Sequence, residues 1–381
     1  ISNPFGGADF TAYLEGVTAF GEDLVGDLLD ATAELSRVRF YVPSGASIGE
    51  KALRLESAQH SLMVPDVLEI TPIVLSTTGS DSNPGTFDLP LLSFTPEVLA
   101  RAGDHIILLE GEYVLSEETL VPFGVSIAGM GDVVLRPTQP STGSLNLEGD
   151  AVVTDLTLDG FGIGIVASTG TVRLERVNVT NPWVSGLRFG ADGTVDSPTV
   201  KLVAVEVRDS AGYGIEILNS TEFTGSRVLV AGTAWQGILV NGDAPRIQMS
   251  DVTVVGAGSS IPASGILIDI SGEGLFRTRS TLVSTSSWYG VEVRSGEYVD
   301  LGTEDDPGRN VLRANLEGQF LDARPARLEP DGQIITLVGT QWNGAYLNIA
   351  THRGPDAWSH SLTGQTYWLI ENSNNRIQTG K

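Results

Sequence analysis

The chain has 381 residues, 23 Lys+Arg against 47 Asp+Glu, a net charge of −24, 45 glycines and no cysteine. The lack of cysteine excludes a disulfide scaffold, a thiolate zinc site and cysteine catalysis. The acidic balance argues against nucleic acid or an anionic membrane surface as the main partner, because both require a basic face. No run approaches the roughly 18 apolar residues of a membrane span, so no transmembrane segment is predicted.

Residues 1–72 differ from the rest of the chain and predict a small mixed α/β N-terminal appendage or cap. The segment Glu22–Leu35 places apolar residues at a helical spacing on an acidic surface, which predicts a helix. The segment Arg37–Pro43 predicts a short strand.

Residues 73–345 contain two repeated units. In the first, a glycine precedes alternating apolar residues, and successive glycines are 22, 28, 23, 28 and 25 positions apart. These glycines are Gly164, Gly186, Gly214, Gly237, Gly265 and Gly290. In the second, an apolar-x-apolar triplet begins at Leu156, Val177, Val205, Val228 and Val252. Two markers that recur together indicate a repeat architecture.

The repeat predicts an all-β solenoid. Alternation with a period of two places the apolar residues of each short strand on one face. One strand cannot bury that face alone, but stacked coils form a continuous core. The period is shorter than the roughly 40 residues of a propeller blade, and the consensus of a leucine-rich repeat is absent. A parallel β-helix fits best.

Three segments at the start of the repeat region carry a resemblance to a known family. They are Gly79–Thr86 (GSDSNPGT), Ala102–Tyr113 (AGDHIILLEGEY) and Gly124–Gly129 (GVSIAG). Together they resemble the opening of secreted right-handed, single-stranded parallel β-helix proteins of the pectate-lyase-like superfamily. Val299–Gly302, Pro307–Asn310 and Trp342–Gly344 resemble its last coils. The resemblance covers about residues 73–345 and implies the fold and an extracellular or cell-surface location, whereas its members differ in function. Residues 346–381 are predicted to cap the C-terminal end.

Polysaccharide lyases of family nine share this opening, and the resemblance implies that a related lyase would need clustered aspartates for calcium and a basic residue. Lys201 is the only lysine in the repeats, with Asp192 and Asp196 before it, but the dense aspartate motif is missing. A solvated strand residue is the favoured interpretation of Lys201.

Glu216 and Glu292 occupy the same outward slot, three coils or roughly 14 Å apart, which is too far for a glycosidase pair.

Outward charges on neighbouring coils predict ion pairs. Arg188 and Glu216 share one slot, and a surface ion pair is the favoured interpretation. A second row, just before the apolar triplets, predicts an ion-pair ladder and reads Asp155, Arg176, Ala204, Arg227 and Asp251.

Two acidic loops are candidate calcium sites, because calcium prefers carboxylate and carbonyl oxygens. The first comprises Asp81, Asn83 and Asp88, for which a turn is the alternative. The second comprises Glu304, Asp305 and Asp306, for which a solvated acidic loop is the alternative. The cofactor is therefore predicted to be none, or Ca²⁺.

One corner of the coils carries an aromatic residue in most repeats. The candidate carbohydrate-binding residues are Trp183, Tyr213, Trp235, Trp288 and Tyr289, with Phe161 in the first coil. Stacked coils would align these rings on one face, where they suit the apolar faces of sugars. The alternative is that each ring packs beneath its own loop. Exposure of neighbouring rings on one face would favour the first interpretation.

The leading functional hypothesis is a protein that binds polysaccharide or forms part of the cell envelope, without recognisable catalytic machinery. A calcium-dependent polysaccharide lyase or a glycoside hydrolase is one alternative. A purely structural envelope or appendage subunit is another. The expected partner is a polysaccharide or an envelope component, and the oligomeric state stays open.

Overall fold

A computed structural model describes most of the chain up to residue 323 and short pieces beyond it. The described residues are 10–15, 23–31, 36–39, 49–57, 61–70, 72–95, 98, 105–116, 118–190, 197–296, 298–303, 305–323, 334–336, 340–343, 370–371 and 376–377. The chain separates into two compact units. The first holds residues 1–113, 121–133 and 150–153, and the second holds residues 114–120, 134–149 and 154–381.

The first unit begins with a five-stranded antiparallel sheet in the order β3-β2-β1-β4-β5. Its strands are β1 (Thr11–Leu14), β2 (Leu24–Ala31), β3 (Ser36–Arg39), β4 (Gly49–Glu56) and β5 (Ser61–Ile70). The helix predicted over Glu22–Leu35 is therefore wrong, and the described part of the appendage is all-β. Strand β2 pairs with β1 on one side and β3 on the other, and this pairing overrides a helical spacing that already contained Gly26. The strand predicted at Arg37–Pro43 is confirmed in part by β3.

The parallel strands start immediately after this sheet. The next four are β6 (Ile73–Leu75), β7 (His105–Leu115), β8 (Glu118–Val121) and β9 (Ser126–Pro137). Strand β6 pairs in parallel with β7, from Ile73 opposite Ile106 to Leu75 opposite Leu108. Between them, the hydroxyl of buried Tyr113 donates to the carbonyl oxygens of Leu75 at 3.0 Å and of Leu109 at 2.7 Å.

The second unit carries the repeats. Its strands are β10 (Ser144–Leu147), β11 (Ala151–Asp159), β12 (Ile163–Ala167), β13 (Thr171–Thr180), β14 (Ser185–Phe189), β15 (Thr199–Val203), β16 (Glu206–Arg208), β17 (Tyr213–Leu218), β18 (Glu222–Ala231), β19 (Ile238–Asp243), β20 (Arg246–Val255), β21 (Ile266–Ser271), β22 (Leu275–Arg279), β23 (Leu282–Ser284), β24 (Tyr289–Ser295), β25 (Tyr298–Asp300), β26 (Val311–Arg313) and β27 (Gly318–Asp322). Short strands β28 (Ile334–Thr336), β29 (Gln341–Asn343), β30 (Ile370–Glu371) and β31 (Arg376–Ile377) follow.

These strands form a parallel β-solenoid, as the repeats and the resemblance predicted. One sheet has nine strands in the order β27-β24-β21-β19-β17-β14-β12-β10-β8. On the other side of the coil, β13 pairs in parallel with β15 over its first half and with β16 over its second half. Strand β18 then pairs in parallel with both β15 and β16, so each coil contributes three strand segments.

Single residues with positive φ make the bends within a coil. The first bend separates the halves of the long strands and holds Asp155, Arg176, Ala204, Arg227, Asp251 and Ser280, with φ between 52° and 57°. The second bend precedes the nine-stranded sheet and holds Gly160, Asn181, Asp209, Gly232, Gly256 and Thr285. Because a single left-handed residue bends the chain within one position, each corner stays tight and the register is kept from coil to coil.

The core lies inside the coils and is built from inward-facing aliphatic and phenylalanine side chains, such as Leu187, Phe189 and Phe223, each at most 1% exposed. The repeat glycines stand where the chain enters the nine-stranded sheet. A Cβ on Gly214 would lie 2.3 Å from Cγ1 of Val230 and 2.4 Å from the carbonyl oxygen of Gly237. Glycine is therefore required there by close approach of the next coil.

The predicted C-terminal cap lies mostly outside the described residues. Of residues 346–381, only β30 and β31 are described. The domain boundaries at residues 72 and 345 stay predictions.

Candidate functional site

The outward side of the nine-stranded sheet places chemically active side chains in one row. Register between neighbouring strands aligns Arg188 with Glu216, and Leu267 with Glu292. We call this the outer row, and it comprises Val166, Arg188, Glu216, Leu239, Leu267, Glu292 and Leu321. The predicted placement of Glu216 and Glu292 in one slot, three coils apart, is confirmed.

Arg188 and Glu216 form the predicted ion pair, although it is not a surface pair. Arg188 Nε donates to Glu216 Oε2 at 2.8 Å and Arg188 Nη2 donates to Glu216 Oε1 at 3.0 Å. The Glu216 side chain is 5% exposed and that of Arg188 is 31% exposed. A buried carboxylate requires such pairing, and the two parallel bonds fix the guanidinium plane. Glu216 therefore positions an arginine whose outer edge reaches solvent.

Glu292 has a similar environment with different partners. Ser264 Oγ donates to Glu292 Oε2 at 2.6 Å, and Arg294 Nε donates to Glu292 Oε1 at 2.7 Å. The Glu292 side chain is 6% exposed, whereas that of Arg294 is 51% exposed. Neither Ser264 nor Arg294 was predicted as a site residue. Arg294 directly follows the motif Tyr-Gly-(Ile/Val)-Glu-(Ile/Val), which recurs at 213–217 and 289–293 and could have indicated it, whereas this motif does not point to Ser264.

Two leucines separate the charged positions in the outer row. Leu239 is partly exposed and Leu267 is 4% exposed. Both lie on the coils between Glu216 and Glu292. Within the row, two apolar positions therefore separate the two glutamates. Leu267 is as buried as Glu216 and Glu292, so ligand contact here would fall to side chains that reach solvent, such as Arg188 and Arg294.

The aromatic corner is exposed on two coils that have one coil between them. Trp183 is 60% exposed and Trp235 is 37% exposed, while Tyr213, on the coil between them, is partly buried. The rings of Tyr213 and Trp235 meet edge to face with centroids 4.9 Å apart. Phe161, in the same corner of an earlier coil, is 1% exposed. Phe161 thus packs beneath its loop, whereas Trp183 and Trp235 are exposed.

The second group of rings lies further along the same corner. Trp288 and Tyr289 are both partly buried, and their rings meet edge to face with centroids 5.4 Å apart. Burial raises the pKa of the Tyr213 hydroxyl and that of Tyr289 above the ordinary tyrosine value. The carboxylate of Glu216 adds to the rise at Tyr213, and those of Glu317 and Glu292 add to the rise at Tyr289. Both hydroxyls therefore stay protonated and can donate hydrogen bonds at neutral pH.

The first candidate calcium loop is held together by its own side chains. Asp81 accepts hydrogen bonds from the backbone amides of Leu92 and Ser93 and, at 2.8 Å, from the Ser93 hydroxyl. Asn83 Nδ2 donates to the carbonyl oxygen of Pro90 at 2.8 Å, and Asp88 is exposed. The serine hydroxyl and amide hold the pKa of Asp81 below its ordinary value.

In the second candidate loop, Asp306 Oδ2 accepts a hydrogen bond from Arg279 Nε at 2.7 Å, and Asp305 is exposed. Glu304 lies outside the described residues. Across the described ranges, no three His, Asp or Glu side chains converge as a metal site. Calcium binding at either loop stays a prediction.

Lys201 lies on a strand of the solenoid, and the second charged row lies at the first bend of the coils. Lys201 is exposed on β15 between Arg173 and Thr224, and its predicted neighbours at 192 and 196 lie outside the described residues. In the ladder, Arg176 Nη2 donates to Asp155 Oδ2 at 2.8 Å, so this ion pair is confirmed. Arg227 and Asp251 share the same corner, but no ion pair joins them within the described chain.

No family model matches this sequence, and no curated protein matches it either. Among solved structures, the A-module of mannuronan C-5 epimerase AlgE4 from Azotobacter vinelandii is similar, with 16% identity and a TM-score of 0.39 over 65% of this chain and 80% of that one. A rhamnogalacturonan lyase has 13% identity and a TM-score of 0.37 over 66% and 75% of the two chains.

A tailspike protein, gp49 of Acinetobacter baumannii bacteriophage Fri1, is described as a capsular polysaccharide depolymerase. It has 10% identity and a TM-score of 0.38 over 93% of this chain and 75% of that one. The fold assignment therefore rests on the strand order and register described above. Within the described residues, no helix is both long and apolar enough to cross a bilayer.

Proposed function

We propose that this protein binds polysaccharide chains along the outer row and the aromatic corner, at an extracellular or cell-surface location. The observation that supports this most is the exposure of Trp183 and Trp235 on one side of the solenoid, with Tyr213 between them. An exposed indole costs free energy unless a ligand covers it, and flat rings match the apolar faces of sugars. Phe161 is the internal comparison, because it is fully covered.

The charge of the chain limits the class of polysaccharide. A net charge of −24 repels a densely charged polyanion unless a cation bridges the two. The two arginines of the outer row and its neighbourhood, Arg188 and Arg294, are each neutralised by a buried glutamate. A neutral or sparsely charged polysaccharide therefore fits the site best.

The test is affinity electrophoresis in gels that contain neutral polysaccharides, with polygalacturonate plus calcium as a charged comparison. The double variant Trp183→Ala/Trp235→Ala should bind at least about tenfold more weakly than the wild type, which is a loss of about 1.4 kcal/mol in binding free energy. Tyr298→Ala is the matched control, because Tyr298 is a 44% exposed aromatic on β25, outside the nine-stranded sheet. Equal retardation of the double variant and the wild type would contradict the proposal.

An enzyme is the second candidate, supported by the resemblance of Gly79–Thr86 to the family-nine lyases. The three-coil separation of Glu216 and Glu292, roughly 14 Å, exceeds the spacing of glycosidase carboxylates. A lyase would release unsaturated sugars that absorb in the ultraviolet, and that release would depend on calcium. A structural envelope subunit is the third candidate, and it predicts no retardation by any polysaccharide.

A further inference from the structure

We infer that the outer row carries two matched sugar-binding modules, so that a polysaccharide chain engages the protein at two points along the solenoid axis. This inference rests on the proposed function and specifies the ligand as a chain long enough to span both points. Each module combines four residue types, namely a tryptophan, a tyrosine, a buried glutamate and a solvent-reaching arginine. Module one is Trp235, Tyr213, Glu216 and Arg188, and module two is Trp288, Tyr289, Glu292 and Arg294.

The tyrosine and glutamate occupy the same positions in both modules. Each module contains the sequence Tyr-Gly-(Ile/Val)-Glu-(Ile/Val), at 213–217 and at 289–293. In both, the tyrosine ring contacts a tryptophan edge to face, at 4.9 Å in module one and 5.4 Å in module two. Trp235 comes from the coil after Tyr213, whereas Trp288 directly precedes Tyr289. The same ring pair is thus built from two different chain connections.

The arginine and glutamate also match in function. In each module a glutamate that is 5% or 6% exposed accepts a hydrogen bond from an arginine Nε. Arg294 has no protein acceptor for Nη1 and Nη2 within the described residues, and Arg188 has none for Nη1. These free N–H groups are fixed in direction by the buried carboxylates, so they can donate to sugar oxygens without an additional ordering cost.

The distance between the two modules favours sugar chains that are long enough to reach both. Glu216 and Glu292 are separated by three ladder steps, or roughly 14 Å, and the two coils between them contribute Leu239 and Leu267 to the outer row. A short sugar can occupy one module, while a longer chain passes over the two intervening coils and reaches the second. The second contact is then intramolecular and adds avidity without any new type of contact.

The experiment compares a disaccharide with longer oligosaccharides of the same linkage, using the cello-, xylo- and malto-series as probes. Binding to the whole chain is measured by calorimetry. For a series that binds, the wild type should bind the longest member about a hundredfold more tightly than the disaccharide. Tyr213→Ala or Tyr289→Ala alone should remove most of that ratio and should lower the disaccharide stoichiometry from two sites to one, because one module remains in each variant. Circular dichroism and thermal unfolding check that each variant is folded, and Trp235→Ala and Trp288→Ala are the second pair of variants.

The outcomes separate this inference from the proposed function. Equal affinity of the wild type for short and long members of a binding series would overturn the two modules while leaving polysaccharide binding intact. Loss of disaccharide binding in one single variant, with no effect of the other, would also overturn them, because it shows a single site. Absence of binding across the three series and their parent polymers would contradict both.

Discussion

Arg188 reaches across one coil of the solenoid and binds Glu216 through two hydrogen bonds of 2.8 and 3.0 Å. The two residues are 28 positions apart in the chain but directly opposite in the parallel ladder. The glutamate is buried although it belongs to the outward side of its strand. Its charge is therefore compatible with the fold only while the arginine is present.

Removing one member of this pair should destabilise the protein more than removing both. Glu216→Gln should lower the free energy of unfolding by about 1.5–3 kcal/mol, because hydrogen bonds to a charged partner are lost. The double variant Arg188→Leu/Glu216→Leu extends the leucines of the outer row and should be close to the wild type in stability, because a buried ion pair can be replaced by packed apolar residues. Urea unfolding checks both values. A double variant less stable than Glu216→Gln would contradict this prediction.

The same pair of variants distinguishes a structural role from a binding role. If Arg188 also contacts polysaccharide, the double leucine variant should keep its stability and lose affinity in the electrophoresis gels. Retained affinity in a stable double variant would assign Arg188 to the fold alone.

The repeat glycines make a second prediction. Gly214→Ala would place a Cβ 2.3 Å from a valine methyl and 2.4 Å from a backbone oxygen of the next coil, so the coils would have to separate. We expect a loss of about 1–3 kcal/mol by analogy with overpacked cores, together with a lower urea midpoint. Gly160→Asn is the control, because no atom lies within 4 Å of its Cβ position and Asn181 adopts the same left-handed bend one coil later. Its effect should stay within about 0.5 kcal/mol.

Much of the solenoid could be predicted from sequence because its pattern is local. The glycine before each strand and the alternation after it, as in Gly214–Ile217, identify strand position and facing without knowledge of the partner strand. The shared slot of Glu216 and Glu292 follows from that alternation. The same local argument failed for Glu22–Leu35, because the strand there depends on pairing with β1 and β3, whose positions the segment itself does not encode.

The candidate site was less accessible to prediction because its contacts cross between coils. Ser264 and Glu292 are 28 residues apart and lie at different strand positions, so no spacing rule joins them. The exposure of Trp183 and the burial of Phe161 also depend on loops of neighbouring coils, although both residues hold the same corner position. The ladder row was predicted as charge pairing, whereas the structure shows that its shared property is the left-handed bend at Asp155, Arg176 and Ala204.

The buried Asn310 should be important for the last described coils. Asn310 accepts a hydrogen bond from the amide of Thr281 at 2.9 Å and donates to the carbonyl oxygen of Leu301 at 2.7 Å. Asn310→Ala leaves the Thr281 amide without this partner, whereas the Leu301 carbonyl oxygen keeps the Thr340 hydroxyl at 3.1 Å, so we expect a loss of about 1–3 kcal/mol. Asn310→Asp should be intermediate, since a carboxylate can still accept from Thr281. Asn178→Ala, at an exposed position, is the control. If Asn178→Ala lowered the free energy of unfolding as much as Asn310→Ala does, the structural role assigned to the Asn310 hydrogen bonds would be contradicted.

The final prediction concerns acid stability and Asp300, which is 8% exposed. Burial alone would raise the pKa of this carboxyl, but it accepts hydrogen bonds from Arg279 at 2.9 Å, Arg277 at 2.8 Å and the Gly302 amide at 2.8 Å, and the net effect lowers it. A group whose folded pKa is depressed stabilises the fold above its unfolded pKa, near 3.9 for aspartate. That contribution is lost as the pH falls through the lower folded value.

Asp300→Asn should therefore be less stable than the wild type at neutral pH, by about 1–3 kcal/mol, because hydrogen bonds to an ionised acceptor are weakened. The difference should shrink as the pH falls from about 3.9, where the unfolded chain takes up the proton, through the lower folded pKa, where Asp300 itself loses its charge. Urea unfolding of both proteins at neutral and acid pH measures it, with Asp251→Asn as an exposed control that should show no such convergence. A stability difference that stays constant down to the lowest pH would show that Asp300 acts through packing rather than through its charge.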